Sequence, residues 1–158
     1  MKKTQKKLGN KGFSLVELIV VIAIMAVLIG VLAPTLLGNI EKSKLSKDKT
    51  NIDSLYQAMT NAAGDPEIDN VPSGTVAEVT LDKTKNAIEI AVPSTGDYVA
   101  YWEKVKEYLG NKTEIKLSSK YYKETGTSLS VSINASSRNV TVSISGASET
   151  KANFTLGE

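Results

Sequence analysis

Lys11-Gly12-Phe13-Ser14-Leu15-Val16-Glu17-Leu18 opens the stretch whose reading decides the fold, and the apolar run from Leu18 to Leu37 completes it. Five lysines precede the junction (Lys2, Lys3, Lys6, Lys7 and Lys11), and no charged or strongly polar side chain occurs between Leu18 and Ala33. Counted to Leu37, across Pro34 and Thr35, the run is 20 residues long. As a helix that is about 30 Å, the thickness of a bilayer's hydrocarbon core. The sequence therefore predicts one membrane span near the N-terminus. Lysine excess before the run, against mixed charge after it, places the N-terminus in the cytoplasm and the residues beyond Leu37 outside.

Glu17 is the one carboxylate inside this segment. At the centre of a membrane helix it would cost roughly 2.5–3.5 kcal/mol, and less near the start, where it reaches the headgroups. Two readings stay open. Glu17 belongs to the polar flank and the span begins at Leu18, or it waits for a cation in the same apolar layer. A cut after Gly12 would make the Phe13 amine such a cation. A helix does not readily fold its own first amine onto that side chain, so a neighbouring copy's amine is the better partner.

The stretch from Lys11 to about Ile40 resembles the class III signal and helix of type IV pilins and the related pseudopilins. The match joins a short lysine leader, a Gly-Phe junction, an offset glutamate and an uncleaved apolar span; it reads closer to the cysteine-free pilins of Gram-positive, clostridial type. The resemblance implies cleavage by a prepilin peptidase between Gly12 and Phe13, N-methylation of Phe13, and a role for Glu17 in docking onto a growing filament. It also implies an inner-membrane assembly platform and an assembly ATPase as partners. Two other readings of the run remain: an ordinary secretory signal and an uncleaved signal anchor. Secretory signals have apolar cores of roughly 7–15 residues followed by a small-x-small site. This run is longer, has Glu17 at its head, and shows no clean site of that kind before Pro34.

Composition bounds the rest. The chain has 158 residues, enough for one domain, and no cysteine or histidine. That removes disulfides, thiol chemistry and histidine-based acid–base pairs. The formal charge is +2, but without the five leader lysines 14 basic residues face 17 acidic ones, so the remainder is near −3. No nucleic-acid footprint follows.

In order, residues 1–12 read as a cleaved leader and 13–37 as the membrane or filament-core part of a long helix. Residues 38–63 read as its amphipathic part, and 64–158 as a β-rich globular domain. The fold class expected is α+β and type IV pilin-like, with one long helix from about Ser14 to Ala63 on a small antiparallel sheet. Pro34 offers no amide to the carbonyl of Gly30, so a kink is expected there. Leu37, Ile40, Leu45, Ile52, Leu55, Tyr56, Met59 and Ala63 form an apolar face. Glu41, Lys42, Lys44, Lys47, Asp48, Lys49 and Asp53 occupy the remainder. A loop at 64–75 leads to a hairpin of Val76–Leu81 and Ala87–Val92. Residues 93–97 end the strand and cap a short helix, whose apolar face carries Tyr98, Tyr101, Trp102, Val105, Tyr108 and Leu109 and which stops at Gly110. Alternation at 128–133 and 140–144 predicts a second hairpin; 113–117 and 153–156 are weaker strands.

No catalytic, metal or cofactor motif is found. Lys104, Lys106, Lys112, Lys116, Lys120 and Lys123 alternate with glutamates, which reads as a solvated mixed face and not as a DNA-binding patch. The function expected is therefore non-enzymatic. The chain would be a pilin, single-pass in the membrane as precursor, then polymerised with its own kind into an extracellular filament for adhesion, twitching motility or aggregation. The alternative is a pseudopilin of a type II secretion or DNA-uptake system. A membrane-anchored enzyme or binding protein is disfavoured by the residue types present.

Overall fold

A computed structural model describes residues 13–157. It divides at Asn39/Ile40 into two units. Helix α1, Leu15–Gly64, runs through both without a break, Pro34 included. In the first unit the helix buries no side chain. In the second unit α1 becomes the spine of a core. Leu45, Asp48, Ile52, Leu55, Met59 and Ala62 are buried at three- and four-residue steps, the spacing of one helix face. Two residues assigned to that face from sequence, Leu37 and Ile40, are exposed. Asp48, expected in solvent, is fully buried; it falls on the buried stripe between Leu45 and Ile52.

After α1 come β1 (Gly74–Thr75), β2 (Val79–Asp82), β3 (Ala87–Ile90), α2 (Val99–Tyr108), β4 (Glu114–Lys116), β5 (Ser128–Asn134), β6 (Asn139–Ser145) and β7 (Phe154–Leu156). They form two antiparallel sheets, β1-β5-β6-β7 and β2-β3-β4, where the sequence suggested one. The first expected strand, Val76–Leu81, is shared between the sheets. The Val76 amide donates to the Val131 carbonyl at 2.9 Å and continues β1 beside β5, while β2 begins three residues later against β3. The predicted loop at 64–75 therefore ends as an edge strand. Both hairpins turn the same way. Asp82 Oδ1 accepts from the amides of Thr84 (2.8 Å) and Lys85 (3.1 Å), and Asn134 Oδ1 from those of Ser136 (3.0 Å) and Ser137 (3.1 Å). Each loop closes on a left-handed residue, Asn86 (φ 53°) or Arg138 (φ 56°).

Val131, Ile133, Val140, Val142 and Ile144 point inward from β5 and β6, joined by Ile88 and Ile90 of β3, and meet Ile52, Leu55 and Met59 of α1 in one cluster. Each fully buried branched side chain contributes about 1.5–3 kcal/mol. Helix α2 adds Tyr101, Trp102 and Val105, with the Tyr101 hydroxyl donating to the Met59 carbonyl at 3.2 Å. Its apolar face is narrower than expected: Tyr98 and Tyr108 are exposed, and the Tyr108 hydroxyl donates to Asp65 at 2.9 Å. The N-cap is Tyr98, without a side-chain cap, so residues 93–97 do not cap it. The C-terminus behaves as expected. Gly110, at φ 70°, lets its amide reach Glu107 O (2.9 Å) and the Asn111 amide reach Lys106 O (2.8 Å), a Schellman closure.

Candidate functional site

Phe13 and Ser14 precede the helix, and α1 begins at Leu15. The Ser14 amide donates to Glu17 Oε2 at 2.9 Å. Ser-x-x-Glu at a helix start is the capping-box arrangement, in which the third-residue carboxylate satisfies the N-cap amide. That role was legible in the four letters Ser14-Leu15-Val16-Glu17, and reading Glu17 as a flank residue or as the partner of a neighbour's amine missed it. The carboxylate is exposed at the head of the apolar segment, so a second donor can reach it. Gly12 lies outside the described residues. Phe13 is 83% exposed.

Downstream, the apolar side chains from Leu15 to Leu37 stand exposed, apart from half-buried Ala33. The helix is long and apolar enough to cross a membrane. A segment of this kind in water is unfavourable by roughly 25 cal/mol for each Å² of apolar surface, so lipid or another apolar surface must cover it. Gly30 and Pro34 sit within it. A Cβ at Gly30 would meet nothing, and the missing Pro34 amide leaves the Gly30 carbonyl without its helical donor.

The globular unit holds polar features that sequence alone did not flag. Asp48 receives the Ser118 amide at 2.8 and 2.9 Å and the Ser119 amide at 2.7 Å. About two helical turns earlier, Glu41 accepts the Ser119 hydroxyl and the Lys120 amide, both at 2.8 Å. Two carboxylates thus pin the segment after β4 to α1. Burial pushes the Asp48 carboxyl above its ordinary range, against the pull of the two amides and Lys47. Burial also raises Glu41, but the Lys120 amide, the Ser119 hydroxyl and Lys44 outweigh it, and its carboxyl lies below the usual value. The signal for Asp48 was its position on the 45–52–55–59 stripe.

Arg138, the chain's single arginine, closes the other end of α1. Its guanidinium donates to the carbonyl of Ala63 at 2.8 Å, in the last turn where the helix leaves carbonyls unpaired and its dipole favours a cation, and to that of Ile68 at 3.1 Å in the loop that follows. Lys104 lies among Asp65 (3.5 Å), Glu67 (2.9 Å) and Glu107 (3.4 Å), and Lys120 lies over the Tyr121 ring. Lys104 is thus neutralised by its neighbours. Among the described residues no group of three or more Asp or Glu side chains is placed to hold a metal ion.

Residues 7–33 match the family described as "Prokaryotic N-terminal methylation motif". The chain is similar to the "Type IV major pilin protein PilA" of Myxococcus xanthus (strain DK1622), 29% identical over 102 residues that cover 55% of this chain and 46% of that protein. The chain thus spans about half the length of this curated relative. No solved structure matches it. On these grounds the chain carries a type IV prepilin methylation motif at its N-terminus and is homologous to a type IV pilin.

Proposed function

We propose that this chain is a structural subunit of a type IV pilus. In this reading a prepilin peptidase cuts between Gly12 and Phe13 and the new Phe13 amine is methylated. The apolar half of α1 holds the subunit in the membrane and then leaves it to pack with the same segment of other copies. The observation that carries the reading is the contrast along one helix. From Leu15 to Asn39 no side chain is buried, whereas from Leu45 onward the same helix closes a packed core. A helix exposed in this way has its partner outside the chain, first lipid and then its own kind. The exchange is nearly neutral in apolar burial, so packing and polar pairing set its direction.

Glu17 supplies the polar pairing. With Oε2 engaged by the Ser14 amide, the carboxylate is oriented along its own helix terminus, and the Phe13 amine of a neighbour is the cation that neutralises it in the apolar layer. No reaction is assigned to the chain; its partners are its own copies, the peptidase and an assembly machine with its platform and ATPase. That the similar Myxococcus protein is a major pilin favours a pilus over a pseudopilus. Glu17→Val should leave membrane insertion and leader cleavage intact and reduce the sheared filament fraction when expressed beside wild type. Normal filament amounts from that variant would overturn the pairing role.

A further inference from the structure

The start of the globular unit carries a group of lysines. Lys42, Lys44, Lys47 and Lys49 lie on α1, and Lys120 and Lys123 bracket a 3-10 helix whose first amide donates to Glu41 at 2.8 Å. By helix geometry Lys42 and Lys49 fall on one side of the buried stripe of Leu45, Asp48 and Ile52, and Lys44 and Lys47 on the other. All are exposed except Lys49, which is half-buried with its ammonium over the Phe154 ring. Lys44 pairs with Glu41 at 3.5 Å. The other five make no ion pair among the described residues.

The acids of the same region are turned toward the chain. Asp48 is fully buried on the Ser118 and Ser119 amides, and Glu41 is engaged by Ser119 and Lys120. Glu124 accepts from the amide and hydroxyl of Ser148, both at 2.6 Å. Six of the 14 basic residues beyond Gly12 thus gather here with three of the 17 acidic ones, so this end is formally +3 and the remainder −6.

Lys42 follows Leu37, the last residue of the apolar run, by five residues, about 7.5 Å along a continuous helix. The headgroup layer on one side of a bilayer is about 5–7 Å deep, and its surface charge reaches about 8–10 Å further at ordinary salt. Lys42 and Lys44 therefore fall at the headgroups, and Lys47, with Lys120 beside Glu41, within reach of their field.

We propose that this lysine collar binds anionic lipid headgroups on the outer face of the membrane while the chain is still anchored. The proposal rests on the apolar half of α1 lying in lipid and adds a polar contact to that anchor. The occupant is a lipid because the collar starts where the span ends, and an anionic one because the charge left unpaired there is positive. Each lysine at such a surface strengthens association by about five-fold, and flanking cations of this kind set the depth and tilt of a span.

The test reconstitutes the full-length chain in vesicles of phosphatidylcholine, alone or mixed with phosphatidylglycerol. Its amines are labelled with a membrane-impermeant acylating reagent and read residue by residue by mass spectrometry. Lys42, Lys44 and Lys120 should label several-fold more slowly in the anionic vesicles. The difference should vanish at about 1 M salt, where charges reach only about 3 Å. Lys104, beside Asp65 at the far end of α1, should label alike in both. In K42Q/K44Q/K120Q, with an unchanged circular dichroism spectrum, Lys47 and Lys123 should lose whatever protection the anionic lipid gave them. Equal labelling of the collar in the two vesicles overturns the proposal, as does a slowing that extends equally to Lys104. Protection that persists at high salt, or that tracks protein density and not lipid charge, places a second copy there and overturns it too. A chain that alkaline extraction strips from the vesicles has no anchored span, and then the membrane reading itself has failed.

Discussion

Replacing Asp48 by alanine tests whether a carboxylate buried on α1 holds the segment after β4. The side chain accepts from two amides, Ser118 and Ser119. Ser118 is exposed and water can replace the lost acceptor. Ser119 is fully buried, and a buried amide left without an acceptor costs about 1–3 kcal/mol. Against this, the variant no longer desolvates a carboxylate, a cost visible in the upward displacement of the Asp48 pKa by burial. The balance is a loss of about 2 kcal/mol, or a Tm lower by roughly 6 °C for a unit of this size. Thermal unfolding of the detergent-solubilised subunit measures it, and hydrogen exchange at the Ser119 amide localises it. An unchanged Tm with a still-protected Ser119 amide would refute the reasoning. Because the fold holds the Asp48 proton more tightly than the unfolded chain does, ionising Asp48 opposes folding. Its term is absent below the unfolded carboxylate pKa of about 3.9 and grows unfavourable as pH rises through the raised folded value.

Acid titration of stability gives a second check. The carboxyls of Glu41, Asp65, Asp82 and Glu124 are displaced downward, so their stabilisation is full above their unfolded values and is lost as pH falls through the folded ones. Asp48→Asn removes the one opposing term, so urea unfolding at stepped pH should show a steeper acid loss than wild type. Arg138→Met strips the Ala63 and Ile68 carbonyls of their donor and should cost about 2 kcal/mol, with faster exchange in the last turn of α1. Arg138→Lys should recover part of this, since one ammonium does not reproduce the guanidinium fork. Gly146→Ala places a Cβ 2.0 Å from the Gly126 carbonyl oxygen at φ 82°. It should cost more than about 3 kcal/mol by denaturant titration, whereas Gly96→Ala, also at positive φ but in open space, should cost only the conformational term of about 1–2 kcal/mol.

The parts of the fold that were legible in the sequence are those written as periodicity. The alternation of Leu129, Val131 and Ile133 with serines fixes β5, and the helical spacing from Leu45 to Ala63 fixes the buried face of α1. What escaped depends on partners far along the chain. Asp48 looks like one of several helix charges until the Ser118–Ser119 segment arrives 70 residues later. Val76 alternates with its neighbours as any strand residue would, yet which sheet it joins is decided by Val131. Arg138 sits in a hairpin turn, and only the tertiary fold brings it to the end of α1. The apolar half of α1 was the most legible, because its chemistry is local: the unbroken run from Leu18 to Ala33 lies within one stretch. Even there, the hydrogen bond from the Ser14 amide gives Glu17 a structural task that its position in lipid did not suggest.

The central claim is that a cut at the head of the apolar helix turns a membrane anchor into a filament subunit. Intact-mass analysis of protein sheared from the cell surface tests it most directly. The account predicts a chain that begins at Phe13, heavier by one methyl group, and retains the apolar helix. A surface product that begins after Ala33, or one that still carries the lysine leader, would contradict it.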